Sequence, residues 1–367
     1  MINQNRLVKT FCDIVKIDSP SNEEEAMALE MCARLGKLGF NIERDTHGNI
    51  IASEDGDKPL LLSAHLDTVE PGRGIRPSID GDRIVSDGTT ILGGDCKAGV
   101  AAILEALESL KEDNQKRKVV QLAFTRGEEI GLVGARNMDY SMINAHEAVV
   151  FDGNGPVNTV TSSSPSYMKL DVTINGISAH AGVEPEKGLS AIKIAADIIN
   201  ELPQGRLDEE TTFNTGTISG GSVRNTVPDQ VTFTGEFRSH NLETLDLLRV
   251  QVLDILDRAR IKYETATIEE DMTLEFQMYS VNRQSSLVKT VSNCLNSLDL
   301  VPILTPSGGG TDANIMLLHG IDSVVVGMST NEMHTVREYV VIPDLVNTAR
   351  FCQVLLTHSM PSQANIT

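Results

Sequence analysis

The chain has 367 residues, 40% of them hydrophobic and 22% charged, the balance of a folded globular protein. Its 31 Lys+Arg stand against 51 Asp+Glu, and the resulting formal charge of −20 argues against nucleic acid as a partner, which would want a basic stripe. No apolar run approaches the roughly 18 residues of a membrane span, the N-terminus lacks an apolar stretch followed by a cleavage site, and five scattered cysteines without a CxxC pair suit reduced thiols. A cytoplasmic protein with no membrane partner is therefore expected.

In chain order, Leu7, Phe11, Ile14 and Val15 fall on one helical face. Ser21 and Glu24 have the S-x-x-E spacing of a capping box. The helix they precede carries Met27, Met31, Leu35 and Leu38 and is closed by Gly39. "KPLLLSAH" (58–65) reads as a strand. "CKAGVAAILEALESL" (96–110) reads as a helix, with Val100, Ile103, Leu104, Leu107 and Leu110 at helical spacing. "KVVQLAF" (118–124) and "EAVVFDG" (147–153) read as further strands. Strands alternating with helices imply a largely parallel sheet flanked by helices.

Near residue 166 the texture changes. Met168, Leu170, Val172 and Ile174 alternate with Lys169, Asp171, Thr173 and Asn175, the pattern of a sheet with one wet face. A helix bearing Ile192, Ala195, Ala196 and Ile199 follows, then strands around 212–218 and 229–237. Next come a helix with Leu245, Leu248, Val252 and Ile255 and a strand near 263–270. This β-α-β-β-α-β order suits a small α+β domain of the split-βαβ, ferredoxin-like type. From about 280 the α/β alternation resumes. The expected organisation is an α/β domain made of residues 1–165 and 278–367, with residues 166–277 inserted into it.

Polar groups follow the apolar strands of the first region in a consistent way. His65 and Asp67 come after "PLLLSA", Glu128 and Glu129 after "VVQLAF", Asp152 after "AVVF" and His334 beyond "SVVVGM", while Asp95 in "GGDCKAG" immediately precedes a helix. In open α/β sheets ligands bind outside the carboxyl ends of the strands, so these groups should converge. Two imidazoles and three carboxylates suit a pair of zinc-like ions sharing one carboxylate. Asp95, on a glycine-rich turn, is the natural bridge. His65 and Asp152 would then complete one ion, and Glu129 and His334 the other. Two ions about 3.5–4 Å apart acidify a shared water and polarise a carbonyl. Glu128 would be the general base and then the acid toward a leaving amine, and Asp67 would orient the His65 ring.

Each residue alone has an ordinary reading. His65 could be a satisfied core or surface histidine, Glu128–Glu129 a solvated turn, Asp95 a helix cap and Asp152 a turn residue before Gly153. The joint pattern carries the argument, because independent turns have no reason to place these residue types after successive core strands. His47, His146, His240, His319 and His358 look like turn, helix or terminal residues, and Cys96 like a small residue near the ions.

"SAHLDTV", "GGDCKAG", "FTRGEEIGLVGAR", "FDG" and "MHT" resemble, in order and spacing, the motifs of the dinuclear-zinc aminoacylase/carboxypeptidase G superfamily of metallopeptidases, and within it the peptidase T branch. The resemblance runs over essentially the whole chain. It implies a metallopeptidase cleaving short peptides, as a tripeptidase or aminopeptidase, with two Zn2+ per subunit (Co2+ or Mn2+ as substitutes) held by His65, Asp95, Glu129, Asp152 and His334. It implies Glu128 as base and Asp67 as orienting acid. The inserted domain is similar to the family's lid, which also makes a homodimer. In the lid, "ISAHAG" would supply His180 for the oxyanion, "GGSVRNTVPD" Asn225 for the substrate and "GEFRS" Arg238 for a substrate carboxylate. "SGGGTDAN" would add Gly309 and Thr311 as substrate contacts. As lone residues, Asn225 reads equally as a turn residue and Arg238 as a strand-edge charge. The family often has an aspartate where this chain has Cys96, and a cis peptide before it. A cis bond at Asp95–Cys96 is thus expected, as is a thiol near the ions open to oxidation. The resemblance leaves two alternatives standing, an N-acyl amino acid deacylase with the same chemistry and a non-catalytic binding relative.

Overall fold

Both faces of the central strands are apolar because both are covered. In the computed structural model, which describes residues 1–358, every residue of Leu60–His65 and of Val120–Thr125 is buried, as is nearly all of Glu147–Gly153 and Asp322–Gly327. These four strands run parallel, in the order Val120–Thr125, Leu60–His65, Glu147–Gly153, Asp322–Gly327. Ile50–Ser53 and then Asn41–Arg44 extend the sheet antiparallel on one side, and Thr159–Ser164 extends it on the other. The sheet is the expected mixed, largely parallel one. Register aligns the strand ends: His65 pairs with Thr125 and Val326 with Phe151, so one edge of the sheet gathers the carboxyl ends.

The helix Gly94–Glu112 lies against this sheet and is buried over most of its length. It packs on Leu60–His65 and Glu147–Gly153 and is flanked by the helices Gln4–Val15 and Ile342–Thr357. Its approach to the sheet is close: a Cβ on Gly99 would stand 2.4 Å from the Phe151 carbonyl oxygen. Phe151, itself fully buried, meets the Phe351 ring at 6.3 Å. Asp95 and Cys96 depart from helical geometry at the helix start, and the Asp95–Cys96 peptide is cis, as is Glu70–Pro71.

The chain forms two compact units. One comprises Met1–Ser163, Ser280–Ser307 and residues from Thr311 onward; the other comprises Ser164–Tyr279 with Gly308–Gly310. The second unit is an antiparallel sheet in the order Gly205–Arg206, Thr211–Gly220, Gln230–Ser239, Ser166–Asn175, Thr267–Phe276. The helices Ala191–Glu201 and Leu242–Lys262 pack on it. Ser166–Asn175 buries every second residue, and Met168, Leu170, Val172 and Ile174 face the core of this unit.

Three local expectations need correction. The Ser21/Glu24 capping box does not form. The helix Glu25–Leu38 has no side-chain cap. The Ser21 hydroxyl donates instead to buried Asp67 at 2.6 Å, and Glu24 accepts from the backbone N–H groups of Asn22 and Gly127. The buried face of Ala191–Glu201 is Ala191, Ile194, Ala195 and Ile198, one residue off the expected stripe, and Ile192 is exposed. That helix has a polar face of Lys193, Asp197, Asn200 and Glu201 and an apolar face wider than the part that packs, so the sheet selects which half of the apolar face is buried. The last strand of the second unit begins at Thr267, not 263, because the preceding helix runs to Lys262 and a turn closes with Ala266 N–H on the Tyr263 carbonyl.

Candidate metal centre

Five segments of the first unit deliver their polar side chains to one place. His65 ends its strand, Asp152 lies one residue before the end of Glu147–Gly153, and Glu128 and Glu129 follow Val120–Thr125. Asp95 opens the central helix. His334 comes from the loop after Asp322–Gly327, with a left-handed backbone (φ 62°), as have Ser329 (77°) and Glu332 (51°). Left-handed geometry costs a non-glycine residue about 1–3 kcal/mol and persists where surroundings enforce it.

Two donor groups result. Ligand-capable atoms of His65, Asp95, Cys96 and Asp152 lie within 4.8 Å of one another, and so do those of Asp95, Glu129 and His334. Asp95 belongs to both. One of its carboxylate oxygens is 3.2 Å from His65 Nε2 and the other 3.3 Å from His334 Nε2. His65 Nε2 also lies 3.5 Å from Asp152, and His334 Nε2 lies 3.0 Å from Glu129. His65, Asp95 and Asp152 are buried, whereas the His334 side chain is 52% exposed.

The electrostatics of this cluster are those of carboxylates in want of a cation. Burial and the nearby Asp152 charge push Glu128 well above the ordinary range, and burial and Asp95 raise Glu129. Burial lifts Asp152 to about 7 against the pull of His65. Asp95 is the exception: burial would raise it, but hydrogen bonds from His334 and His65 hold it at about 2. Those same contacts, from Asp95 and Glu129, raise His334 to about 10. Among the described residues, the ion pairs of Asp95, Glu129 and Asp152 run to these two imidazoles, and Glu129 Oε1 is buried with no hydrogen-bond partner. Two imidazoles, three carboxylates and an orphaned buried oxygen fit a pair of divalent cations better than they fit a set of hydrogen bonds.

Asp67 does more than the sequence suggested. His65 Nδ1 is 3.0 Å from the Asp67 backbone carbonyl and 3.4 Å from its carboxylate. The carboxylate itself accepts from the backbone N–H groups of Glu128 (3.0 Å) and Glu129 (3.2 Å). Cys96 is fully buried and donates its thiol to the Phe151 carbonyl at 2.6 Å; burial holds it well above its usual pKa. Burial and this hydrogen bond limit access to the thiol that was expected to be open to oxidation.

Of the other predicted residues, Thr311 is buried and caps the helix Asp312–Leu318, its hydroxyl accepting from Ala313 N–H. His180, Asn225, Arg238 and Gly309 belong to the second unit. There His180 is exposed and forms a bridge with Thr226, and Ala181 N–H donates to the Asn225 carbonyl. Arg238 stacks 4.7 Å over Tyr167, donates to the Gly308 carbonyl (3.0 Å) and pairs with Glu236.

Lys97, Asp312 and Glu338 are among the buried charged residues of the first unit that were not singled out by sequence. Lys97 donates to the Ile17 carbonyl, and burial lowers it to about 7. Asp312 binds Thr125 through one oxygen, while the other is buried without a partner among the described residues. Glu338 accepts from three backbone N–H groups beside Asp95. Only proximity in space marks them; their one sequence signal is to lie within five residues of a ligand motif or the glycine loop.

Comparison with known proteins gives this geometry its family. The model for the peptidase dimerisation domain matches residues 163–264, and that for peptidase family M28 matches residues 48–169, the stretch that carries His65, Asp95, Glu128, Glu129 and Asp152. The uncharacterized protein YqjE of Bacillus subtilis is 34% identical over 97% of this chain and 99% of its own. The crystal structure of aminopeptidase PepT from Bacillus cereus is 34% identical with a TM-score of 0.83, and matches 97% of this chain and 98% of its own. That of a tripeptidase from Staphylococcus aureus is 31% identical, with a TM-score of 0.89 and the same shares. The chain belongs to the peptidase T-like metallopeptidases of the M20 family. It is thus a metal-dependent peptidase with a dimerisation domain of the M20 type.

Proposed function

We propose that this M20 peptidase is a dizinc exopeptidase of short peptides, a tripeptidase or aminopeptidase, acting as a cytoplasmic homodimer. The observation that carries the reading is the sharing of Asp95 between two donor groups, with Glu128 adjacent in sequence to the ligand Glu129. His65, Asp95 and Asp152 would hold one ion, and Asp95, Glu129 and His334 the other. When bound, the pair would polarise the scissile carbonyl and acidify a water. The names of the two solved relatives, an aminopeptidase and a tripeptidase, support the substrate class, and five free cysteines support a reducing compartment.

The protein's own part begins with Glu128. Its carboxylate, kept basic by burial and by Asp152, takes the proton from the attacking water and returns it to the leaving amine. Asp67 holds the turn from which Glu128 projects. For the second unit we propose the roles that the family resemblance implies: His180 donating to the carbonyl oxygen as it gains charge, Arg238 pairing with a substrate carboxylate, and Asn225, Gly309 and Thr311 lining the substrate.

The test is metal analysis of the purified protein together with a panel of tripeptides, dipeptides and N-acyl amino acids. Two metal equivalents per chain and chelator-sensitive cleavage of tripeptides are expected. Glu128→Gln should retain both metals and lose about 10²–10⁴ in rate. Preference for N-acyl amino acids would make the protein a deacylase instead, and an unaltered rate in Glu128→Gln would remove the base from its role.

A further inference from the structure

Glu338 is 1% exposed and lies four residues beyond His334. A buried carboxylate is costly unless hydrogen bonds satisfy it, and here backbone donors do so. One oxygen accepts from Leu92 N–H at 2.8 Å and Gly93 N–H at 2.7 Å, and the other from Asp95 N–H at 3.0 Å. The turn that carries the shared ligand is therefore wrapped around the Glu338 carboxylate.

The segment bearing Glu338 is itself fixed at both ends. Asn331 pairs with Tyr339, and Tyr339–Val341 pairs in turn with Arg83–Val85. The His334 loop is the stretch of this hairpin between the paired residues Asn331 and Tyr339. The same hairpin meets the turn directly: a Cβ on Gly94 would stand 2.8 Å from Thr330 Oγ1 and 2.9 Å from Val340 Cγ2, so no bulkier residue fits between them. A residue that merely stapled the turn could take its bonds from Leu92 and Gly93 alone. This one also grips the amide of Asp95, and its own chain carries the imidazole that lies 3.3 Å from the Asp95 carboxylate.

We propose that Glu338 is a positioning residue that sets the spacing of the Asp95 and His334 donors, so that the group Asp95, Glu129 and His334 binds its cation tightly only with this carboxylate in place. The proposal rests on the two-metal reading above. Glu338 touches neither substrate nor, by its position on the backbone, the ions. Its effect passes through the Asp95 amide and the His334 loop. In Glu338→Gln one oxygen still serves Leu92 and Gly93, but the amide NH2 is turned against the Asp95 N–H, and the misfit falls on the ligand-bearing residue.

The experiment is calorimetric titration of the metal-free full-length protein with zinc, comparing wild type, Glu338→Gln and Glu338→Asp, with circular dichroism and melting of each metal-free protein alongside. The wild type should take two equivalents. Glu338→Gln should stay folded with a modestly lower metal-free melting temperature, and bind one of its two equivalents about 10–100-fold more weakly than the wild type does, the other losing less. Glu338→Asp, which retains both oxygens and the charge, should recover part of that loss, and it carries the test alone if the glutamine variant does not fold. Unchanged affinity for both equivalents, or equal weakening of both in step with a lower melting temperature, overturns the proposal. A wild type that takes no second equivalent removes the two-metal reading itself, a separate result from failure at Glu338.

Discussion

The Asp67 carboxylate accepts a hydrogen bond from the backbone N–H of Glu128 at 3.0 Å. The residue beside one proposed imidazole ligand thereby holds the turn that carries the proposed base, and Asp67 has no exposed surface of its own. The role expected from sequence, orienting the histidine, and one the sequence did not suggest, holding the Glu128 turn, meet in one buried side chain.

Substitution of Asp67 should accordingly act on the chemistry more than on substrate affinity. In Asp67→Asn an NH2 group replaces one acceptor and faces a backbone N–H of the Glu128–Glu129 turn. We expect kcat to fall about 10–100-fold with little change in KM. Steady-state kinetics on the best tripeptide checks this; a raised KM with intact kcat would place Asp67 in substrate binding instead.

Metal removal should invert the pH dependence of stability. In the metal-free fold, burial holds Asp152 and Glu338 at about 7 and Asp312 at about 6, and Asp95 and Glu129 hold His334 at about 10. Unfolded carboxyls titrate near 4 and histidine near 6.5, roughly. The folded state thus keeps protons that the unfolded chain has released, for the carboxyls between about pH 4 and 7 and for His334 between about 6.5 and 10. Stability must fall as pH rises through the carboxyl window. Above it Lys97, which burial lowers to about 7, opposes His334, and the depressed Asp95, at about 2, works the other way below about pH 4, so the fall lies mainly between about pH 4 and 7. Chelated protein should therefore melt higher at about pH 5.5 than at about pH 8.5, and metal-loaded protein the reverse, since ligands bind metal deprotonated. Melting curves of both forms at the two pH values decide it.

Thiol labelling should spare the metal centre. Cys12 and Cys32 are partly exposed, whereas Cys96, Cys294 and Cys352 are buried. Mass mapping after brief alkylation of the native enzyme should find adducts on Cys12 and Cys32, none on Cys96, and full activity. Inactivation in step with labelling of Cys96 would contradict the protonated, hydrogen-bonded thiol described above.

Gly99 sets how closely the Asp95 helix approaches the Asp152 strand. In Gly99→Ala the new methyl group meets the Phe151 backbone oxygen, which cannot swing aside as a side-chain tip would. The helix must shift, at a cost of about 1–3 kcal/mol. Urea unfolding of the metal-free variant should show that loss, and zinc titration should show weaker binding as the two ligand-bearing elements separate. Unchanged stability would mean that the contact relaxes elsewhere.

Much of this architecture was legible in the residues. Strands buried on both faces read as unbroken apolar runs, and the end of such a run is visible without a structure; His65, Glu129 and Asp152 stood out because each follows one. The alternation from Met168 to Ile174 marked a different kind of sheet for the same reason. Where the apolar face was wider than the part that packs, as in Ala191–Glu201, or where a polar side chain had a choice of partners, as with Ser21, the local pattern pointed the wrong way, because tertiary neighbours select among local options of similar energy.

The amino-acid order by itself determined the secondary elements, the family and the kinds of group that gather at the sheet edge, since these depend on periodicity and on side-chain chemistry carried along the chain. Only the tertiary structure decided that Asp67 grips the Glu128 turn, that Glu338 seats against the Asp95 amide and that the Cys96 thiol is buried against the Phe151 carbonyl. Those are contacts between backbone atoms and side chains 55 to 243 residues apart. A backbone N–H is the same in nearly every residue, so nothing in the sequence marks the ones a buried carboxylate will find.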